Sequence, residues 1–431
     1  MNNIISKIVY NLGVNFRNPS IKQSLAWLKE TDNFSLEELE AIQLQKCKEL
    51  LAFSYKYSKF YKKLFDEINF TPSQLKALED LKLIPTINKK TLILHNADIR
   101  TSYSFNKVNE VETSGTSGES LKFYKDELWD SKNRAALFRY YSWYNVKPWE
   151  KNGYFWGYNV DKSKIFKTRI LDFLQNRFRI FSYKEDEIKA FTSKLEKATY
   201  LHGYSSMIYG VAKVVNEIGL SQKYSLKFIK GTSEKIYDKY QDEVRKAFGL
   251  KIISEYGAGE TGLIAFECPE GGRMHINMQN VIVEVEDDEI IVTNLLSNSF
   301  PIIRYKLGDY VKLAPKNDKC ICGRQHLIID DVQGRVGKLI IGKEHSYPSL
   351  TFYYVFKNLG LEKNILLNYQ AIQYKPGYIQ LKIEQNMPEV LSAIDAELVK
   401  YFKNDIEFEV IFDQKLHAMN GKLRDFISHI D

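Results

Sequence analysis

The stretch Ser254 to His275, SEYGAGETGLIAFECPEGGRMH, carries two kinds of ligand chemistry in one short span. The partly apolar run Ile252–Tyr256 reads as a buried strand, and Gly257-Ala258-Gly259 reads as the loop that breaks it. Glu260 and Thr261 then present a carboxylate and a hydroxyl beyond a strand end, which is where open α/β sheets bind ligands. That carboxylate suits magnesium and phosphate. Cys268 and His275 have the look of half a metal site, and Cys320 and Cys322, on a tight turn, supply two more thiols. Three thiolates and one imidazole are a common closed set for structural zinc. An ion there would tie the loop after Glu260 to the loop after Asp309 and brace the strand ends that carry them. The Cys320-x-Cys322 spacing is tighter than usual, and His326 is the substitute should His275 point away. The competing reading is a surface turn with unlinked buried thiols.

A second stretch, Val111–Lys125, reads VETSGTSGESLKFYK, and seven of the eight residues Thr113–Ser120 are Ser, Thr or Gly. A loop of Thr113, Ser114, Gly115, Thr116, Ser117 and Gly118 can turn sharply and aim backbone N–H groups and hydroxyls at a phosphate. It is not a Walker A loop, because G-x-x-x-x-G-K-[ST] is absent. Leu121-Lys122-Phe123 alternates like a strand, which suits a loop inside a hairpin better than a Ser/Gly linker between domains. Two further groups stand out: Asp309, at the end of a strand within Pro301–Asp309, and Lys422, displayed on the polar loop His417–Arg424.

The elements that must position these groups follow from periodicity. Residues 1–90 read as helices, one of them starting near Asn88 after Pro85. From Thr199 the pattern turns α/β: strands at Thr199–Leu201, Leu226–Ile229 and Lys251–Tyr256 alternate with two helices. One helix carries Ile208, Val211, Val215 and Ile218 on a stripe, the other Ile236, Tyr240, Val244 and Phe248. That alternation argues for a mostly parallel sheet. Val281–Val285 and Glu289–Leu295 form a hairpin around Asp287-Asp288. The break at Gly334-Arg335 and Gly337-Lys338 divides residues 1–334 from residues 335–431. The second part reads as a small α+β module with a helix closed by Gly360, strands at Ile365–Tyr374 and Ile379–Ile383, a helix at Val390–Phe402 and a final strand at Ile406–Phe412.

At 431 residues the chain exceeds one compact core. Its 61 Lys+Arg against 54 Asp+Glu give +7, a mild excess with no dense basic block, which argues against a nucleic-acid partner and suits an anionic small ligand. Four cysteines in this length make no disulfide scaffold, and Cys47, inside a helical pattern, reads as a small buried hydrophobe. The start, with Ile4, Ile5, Ile8, Val9 and Leu12 on a helical stripe broken by Asn and Lys, lacks the continuous apolar run of a secretion signal. It reads as a helix packed on the body rather than one lying on a membrane. No integral membrane segment is legible, and a cytoplasmic protein is expected.

The order of these motifs resembles the adenylate-forming superfamily, specifically its phenylacetate–CoA ligase branch with the capsule-biosynthesis relatives, over nearly the whole chain. Thr113–Ser120 is similar to the family's phosphate loop, and Gly203–Ser206 to a Gly-Tyr-Pro-Ser-like segment, with Ser205 where proline is usual. Tyr256–Glu260 is similar to the Tyr-Gly-x-x-Glu motif, whose glutamate assists magnesium, and Arg304–Asp309 to the motif whose aspartate holds the ribose hydroxyls. Gly334-Arg335 is similar to the hinge, whose arginine also meets the nucleotide, and Gly421-Lys422 is similar to the motif bearing the family's C-terminal catalytic lysine. The resemblance implies a large multi-layer α/β N-terminal domain with a smaller mobile α+β C-terminal domain. It also implies ATP and Mg²⁺, and a carboxylic acid joined to the α-phosphate with loss of pyrophosphate. Transfer follows to coenzyme A, an amine or a sugar hydroxyl. Tyr256, Gly257 and Thr261 would line the nucleotide with Glu260, Asp309 and Arg335, and Lys422 would bridge carboxylate and α-phosphate. A similar Cys/His pattern in that branch adds to the zinc reading, and a homodimer is compatible with it. Three departures stand out: Glu119-Ser120 where Lys-Pro is common, with Lys122 as partial compensation; Gly259 where many relatives carry threonine; and Gly337 at the hinge position of an Asp or Lys. They admit an alternative, a degenerate relative that binds nucleotide or acyl ligand without turnover.

Overall fold

The computed structural model describes residues 3–113, 121–155, 162–180, 185–222, 224–232, 236–335, 339–347, 349, 351–363, 365, 367–416, 418–419, 422–423 and 425–430. Its centre is one ladder of eleven strands. Arg177–Arg179, Asn152–Phe155, Tyr200–Tyr204, Phe228–Thr232 and Ile252–Ala258 run parallel in that spatial order. Gly262–Glu267, Met274–Ile276, Ile328–Arg335, Tyr305–Leu313, Glu289–Asn294 and Val281–Glu286 continue it antiparallel. The sheet is therefore half parallel, not mostly so. The connections decide this. Helices at Lys162–Leu174, Glu185–Leu195, Ser205–Glu217 and Asp238–Phe248 carry the chain back between parallel strands, whereas after Ala258 each strand returns directly through a turn or loop. Asp287 and Asp288 both have positive φ, 52° and 62°, the backbone that a two-residue hairpin turn needs.

Each face of the parallel half buries a different helix set. Leu201, Ile229 and Ile252 pack with Ile208, Val211, Val215, Tyr240, Val244 and Phe248, the stripes expected from periodicity. Tyr200, Phe228, Ile253 and Phe266 pack under the Glu127–Trp143 helix, which Asp126 caps by accepting the Trp129 N–H at 3.0 Å. The antiparallel half is covered by the N-terminal helices: Leu39, Cys47, Leu50, Leu51, Tyr61 and Phe65 share one core with Ile264, Met278, Val292, Phe300 and Tyr305. Arg304 donates to the Ile84 carbonyl at 2.6 Å, and Ile87 bridges to Tyr305, so the N-terminal segment is stitched to a strand over 200 residues away in sequence.

The first helix, Asn3–Arg17, departs from its expected orientation. Ser6 and Val14 face the body, with the Tyr10 ring 5.9 Å from Phe138, while Ile4, Ile5, Ile8 and Leu12 are all more than half exposed. Among the described residues no helix is long and apolar enough to cross a membrane.

After Arg335 the strands belong to separate sheets. Glu407–Ile411, Tyr378–Ile383, Tyr369–Lys375 and Phe426–Ser428 form a four-stranded sheet backed by helices Thr351–Lys363 and Leu391–Phe402. Gly360 lies inside the first of these helices and does not close it. The strand at Glu407–Ile411 is not the last, because Phe426–Ser428 returns to pair parallel with Tyr369–Lys375.

Candidate functional site

The Ile252–Ala258 strand runs through Gly257, and the chain turns only at Gly259-Glu260-Thr261. Gly257 is thus a strand residue and not a loop breaker. A Cβ there would stand 2.4 Å from the Gly262 carbonyl oxygen, so glycine lets the two strands close on each other. The turn does not hold Glu260 out into solvent. The residue is 6% exposed, with Oε1 accepting the Tyr305 hydroxyl at 3.0 Å and its backbone carbonyl accepting Asn294 Nδ2 at 3.1 Å. Thr261 is buried beside it.

Tyr256 donates its hydroxyl to Asp309 Oδ2 at 2.8 Å, which joins two motifs 53 residues apart. Asp309 is not at a strand end. It sits mid-way along Tyr305–Leu313, where Gly308 (φ 81°) interrupts the pleat, and it faces Arg335 across the ladder. A left-handed glycine inside a strand re-aims the side chain that follows it, which a terminator reading misses.

The hairpin expected around the serine-rich loop is present: Val108–Glu112 pairs antiparallel with Lys122–Asp126. Thr113 closes its base, its N–H donating to the Leu121 carbonyl and its hydroxyl accepting the Leu121 N–H, both at 2.9 Å. Ser114, Gly115, Thr116, Ser117 and Gly118 lie outside the described residues. A Cβ on Gly259 would sit 3.8 Å from Thr113 Cγ2, so the turn bearing Glu260 lies directly against the base of that loop.

Lys122, expected to compensate for Glu119, is turned outward and pairs with Glu110 at 3.6 Å. The inward cation is Lys125, which sequence reasoning passed over. Its ammonium stands 5.3 Å over the Phe123 and Trp129 rings, within the field of Asp130 and Glu260. Burial pulls its pKa down to about 8. The signal was available in the alternation, since Lys125 shares a strand face with the buried Phe123.

Of the C-terminal candidates, Arg335 ends a strand of the eleven-stranded sheet and Lys422 lies in a separate two-stranded one. Lys422 is not on a polar loop: Lys422–Leu423 pairs with Ala418–Met419 in a short hairpin. The side chains of Lys422 and Arg335, and Gly337 itself, lie outside the described part. Beyond that hairpin the Asp425 carboxylate accepts the Tyr237 hydroxyl, just ahead of the Asp238–Phe248 helix, and Lys213 reaches Glu384 at 3.7 Å.

The four expected zinc ligands converge. Ligand atoms of Cys268, His275, Cys320 and Cys322 lie within 4.8 Å of one another, with Cys268 and Cys320 sulfurs 3.5 Å apart and Cys322 Sγ 3.3 Å from His275 Nε2. Tetrahedral sulfurs at about 2.3 Å from zinc would stand roughly 3.8 Å apart, so the set needs little adjustment. Other features fit. Burial, then Arg324, Arg139 and Arg273, hold His275 down to about 4, leaving the neutral imidazole that ligates. Those three guanidinium groups also oppose the net negative charge of a zinc–trithiolate centre. A Cβ on Gly271 would strike Cys320 Sγ at 2.2 Å, and the Gly271 N–H points at Cys268 Sγ at 3.4 Å. His326 is turned away, its Nε2 3.1 Å from Gln279. The cluster does not brace the strand ends at Glu260 and Asp309. It lies at the opposite end of Gly262–Glu267, roughly 20 Å along the strand.

No family model matches the chain. Among curated proteins it is similar to Protein CapK of Staphylococcus aureus, 24% identical over 425 residues, 91% of this chain and 90% of that protein. It is also similar to the phenylacetate-coenzyme A ligase of Thermus thermophilus, 24% identical over 430 residues, with the same coverage of 91% and 90%. Among solved structures the fold matches 2-hydroxyisobutyryl-CoA ligase in its postadenylation state, TM-score 0.70 at 16% identity, over 92% of this chain and 91% of that one.

Proposed function

We propose that this chain, an adenylate-forming enzyme of the phenylacetate–CoA ligase-like branch, activates a carboxylic acid as its acyl-adenylate and passes the acyl group to an acceptor. The observation that carries this reading is the meeting of Thr113, Tyr256, Glu260 and Asp309, with Lys125 behind them, at one end of the sheet. The acid and ATP repel each other, so the work of the protein is positioning and charge neutralisation. Asp309, held by Tyr256, accepts hydrogen bonds from the two ribose hydroxyls. The loop from Thr113 cradles the departing phosphates, and Lys125 offsets their charge. Glu260, oriented by Tyr305, is the carboxylate for Mg²⁺, which when bound supplies charge to the phosphates. Arg335 meets the nucleotide, and Lys422 bridges the carboxylate and α-phosphate as the bond between them forms.

Residues 1–334 form the body and 335–431 the closing domain. The acceptor is coenzyme A or an amine or hydroxyl on a sugar, the latter suited to surface polysaccharide synthesis in the cytoplasm. The zinc reading belongs here too, as a structural ion that stiffens the sheet. The test is ATP–pyrophosphate exchange against a panel of carboxylic acids. One acid should support exchange, and Lys422→Ala should lower the rate at least about a hundredfold with little change in ATP affinity. ATP binding with no exchange for any acid would mean a nucleotide-binding relative instead.

A further inference from the structure

Most helices on a protein surface turn their apolar stripe inward. The Asn3–Arg17 helix does the reverse along much of its length. Ile4, Ile8, Leu12 and Phe16 are 68%, 55%, 66% and 90% exposed, at steps of four residues on the face opposite Ser6, Tyr10 and Val14. The Lys162–Leu174 helix lies against it and repeats the pattern, with Phe166 75% and Phe173 63% exposed. Exposed large side chains scattered singly mean nothing, but a run continued over two adjoining helices marks an interaction surface.

The charge pattern names the partner. Among the described side chains of these two helices Lys7, Arg17, Lys167 and Arg169 are basic and exposed, and Asp172 is the one acid. Asp172 is buried and bound to Arg177 and Arg179, each at 2.6 Å, so it does not offset the surface. An apolar stripe with an almost purely basic flank is the pattern of a helix lying in the interface of an anionic bilayer. A second copy laid on the same face would set basic residues against basic ones.

We propose that these two helices form a docking face for an anionic membrane surface, with the apolar side chains entering the headgroup boundary and the basic ones meeting lipid phosphates. This goes beyond the adenylation reading and is independent of it, since binding to vesicles needs neither ATP nor acid.

The test is cosedimentation of the full chain with phosphatidylcholine vesicles, with and without phosphatidylglycerol. Binding to the anionic vesicles should exceed binding to the neutral ones by at least about tenfold and fall as salt rises. The triple variant L12E/F16E/F166E, altered only at exposed positions, should lose at least about tenfold in binding at unchanged melting temperature. K7E and K167E should each cost roughly fivefold while leaving the apolar stripe intact. Three results would overturn the proposal: no binding to anionic vesicles, equal binding to both kinds, or a dimer by light scattering that the triple variant dissociates.

Discussion

Lys125 carries a desolvation cost that its aromatic contacts and the nearby Asp130 and Glu260 carboxylates offset only in part. An ammonium held over two adjoining aromatic rings and partly stripped of water is less stable than one on the surface, which is why burial lowers its pKa to about 8. Triphosphate oxygens would supply a closer anionic partner. Lys125→Met should therefore raise the KM for ATP roughly tenfold, the worth of a charge-assisted hydrogen bond, while the melting temperature holds or rises. An unchanged KM in steady-state kinetics would remove Lys125 from the site. Among the other residues, motif order was enough to choose Tyr256, Glu260 and Asp309, but not to say that Tyr256 holds Asp309 and Tyr305 holds Glu260. Those partners are tyrosines in a chain that has 28 of them, and nothing in their spacing separates these two.

At the scale of elements, periodicity reported helices well and strand limits poorly. The stripes through Val211 and Val244 are buried as read, because helical burial repeats every three or four residues. Glycine alone does not mark a break: Gly257, Gly308 and Gly360 all lie inside strands or a helix. Gly257 serves a cross-strand approach and Gly308 a left-handed bend, neither of which local sequence distinguishes from a turn. The convergence of the cysteine pairs was legible because few residue types ligate metals, yet where the cluster sits in the sheet depended on strand directions that the sequence left open. Placed at the far end of Gly262–Glu267, the cluster should act on stability more than on catalysis. Cys320→Ser should lose zinc and lower the melting temperature by several degrees, with a smaller effect on ATP affinity. Purified protein with less than about half an equivalent of zinc by elemental analysis, unexposed to chelators, would exclude the site.

At the scale of the molecule, the proposed active site would draw on both the eleven-stranded sheet and the C-terminal part of the chain. The hydroxyl of Tyr237 on the Asp425 carboxylate and the Lys213–Glu384 pair join them in this arrangement. Both contacts are few-atom polar links of the kind that can be exchanged during a catalytic cycle, unlike the continuous apolar cores on either side. Tyr237→Phe should shift the balance between domain arrangements: overall turnover should change by about threefold to tenfold, in either direction, with the thermal midpoint nearly constant. Equal turnover in the variant and the parent would show that this link does not bias closure.

The stitching of the first hundred residues to a strand near position 305 also sets a timetable for synthesis on the ribosome. Leu39, Leu50, Leu51 and Phe65 find their partners only once Val292, Phe300 and Tyr305 exist. Translation adds about 5–20 residues per second, so these helices emerge and wait roughly 10–50 s with their apolar faces bare. For that interval the nascent chain depends on holdase protection, and a stall between the two segments would leave an aggregation-prone fragment rather than a folded intermediate.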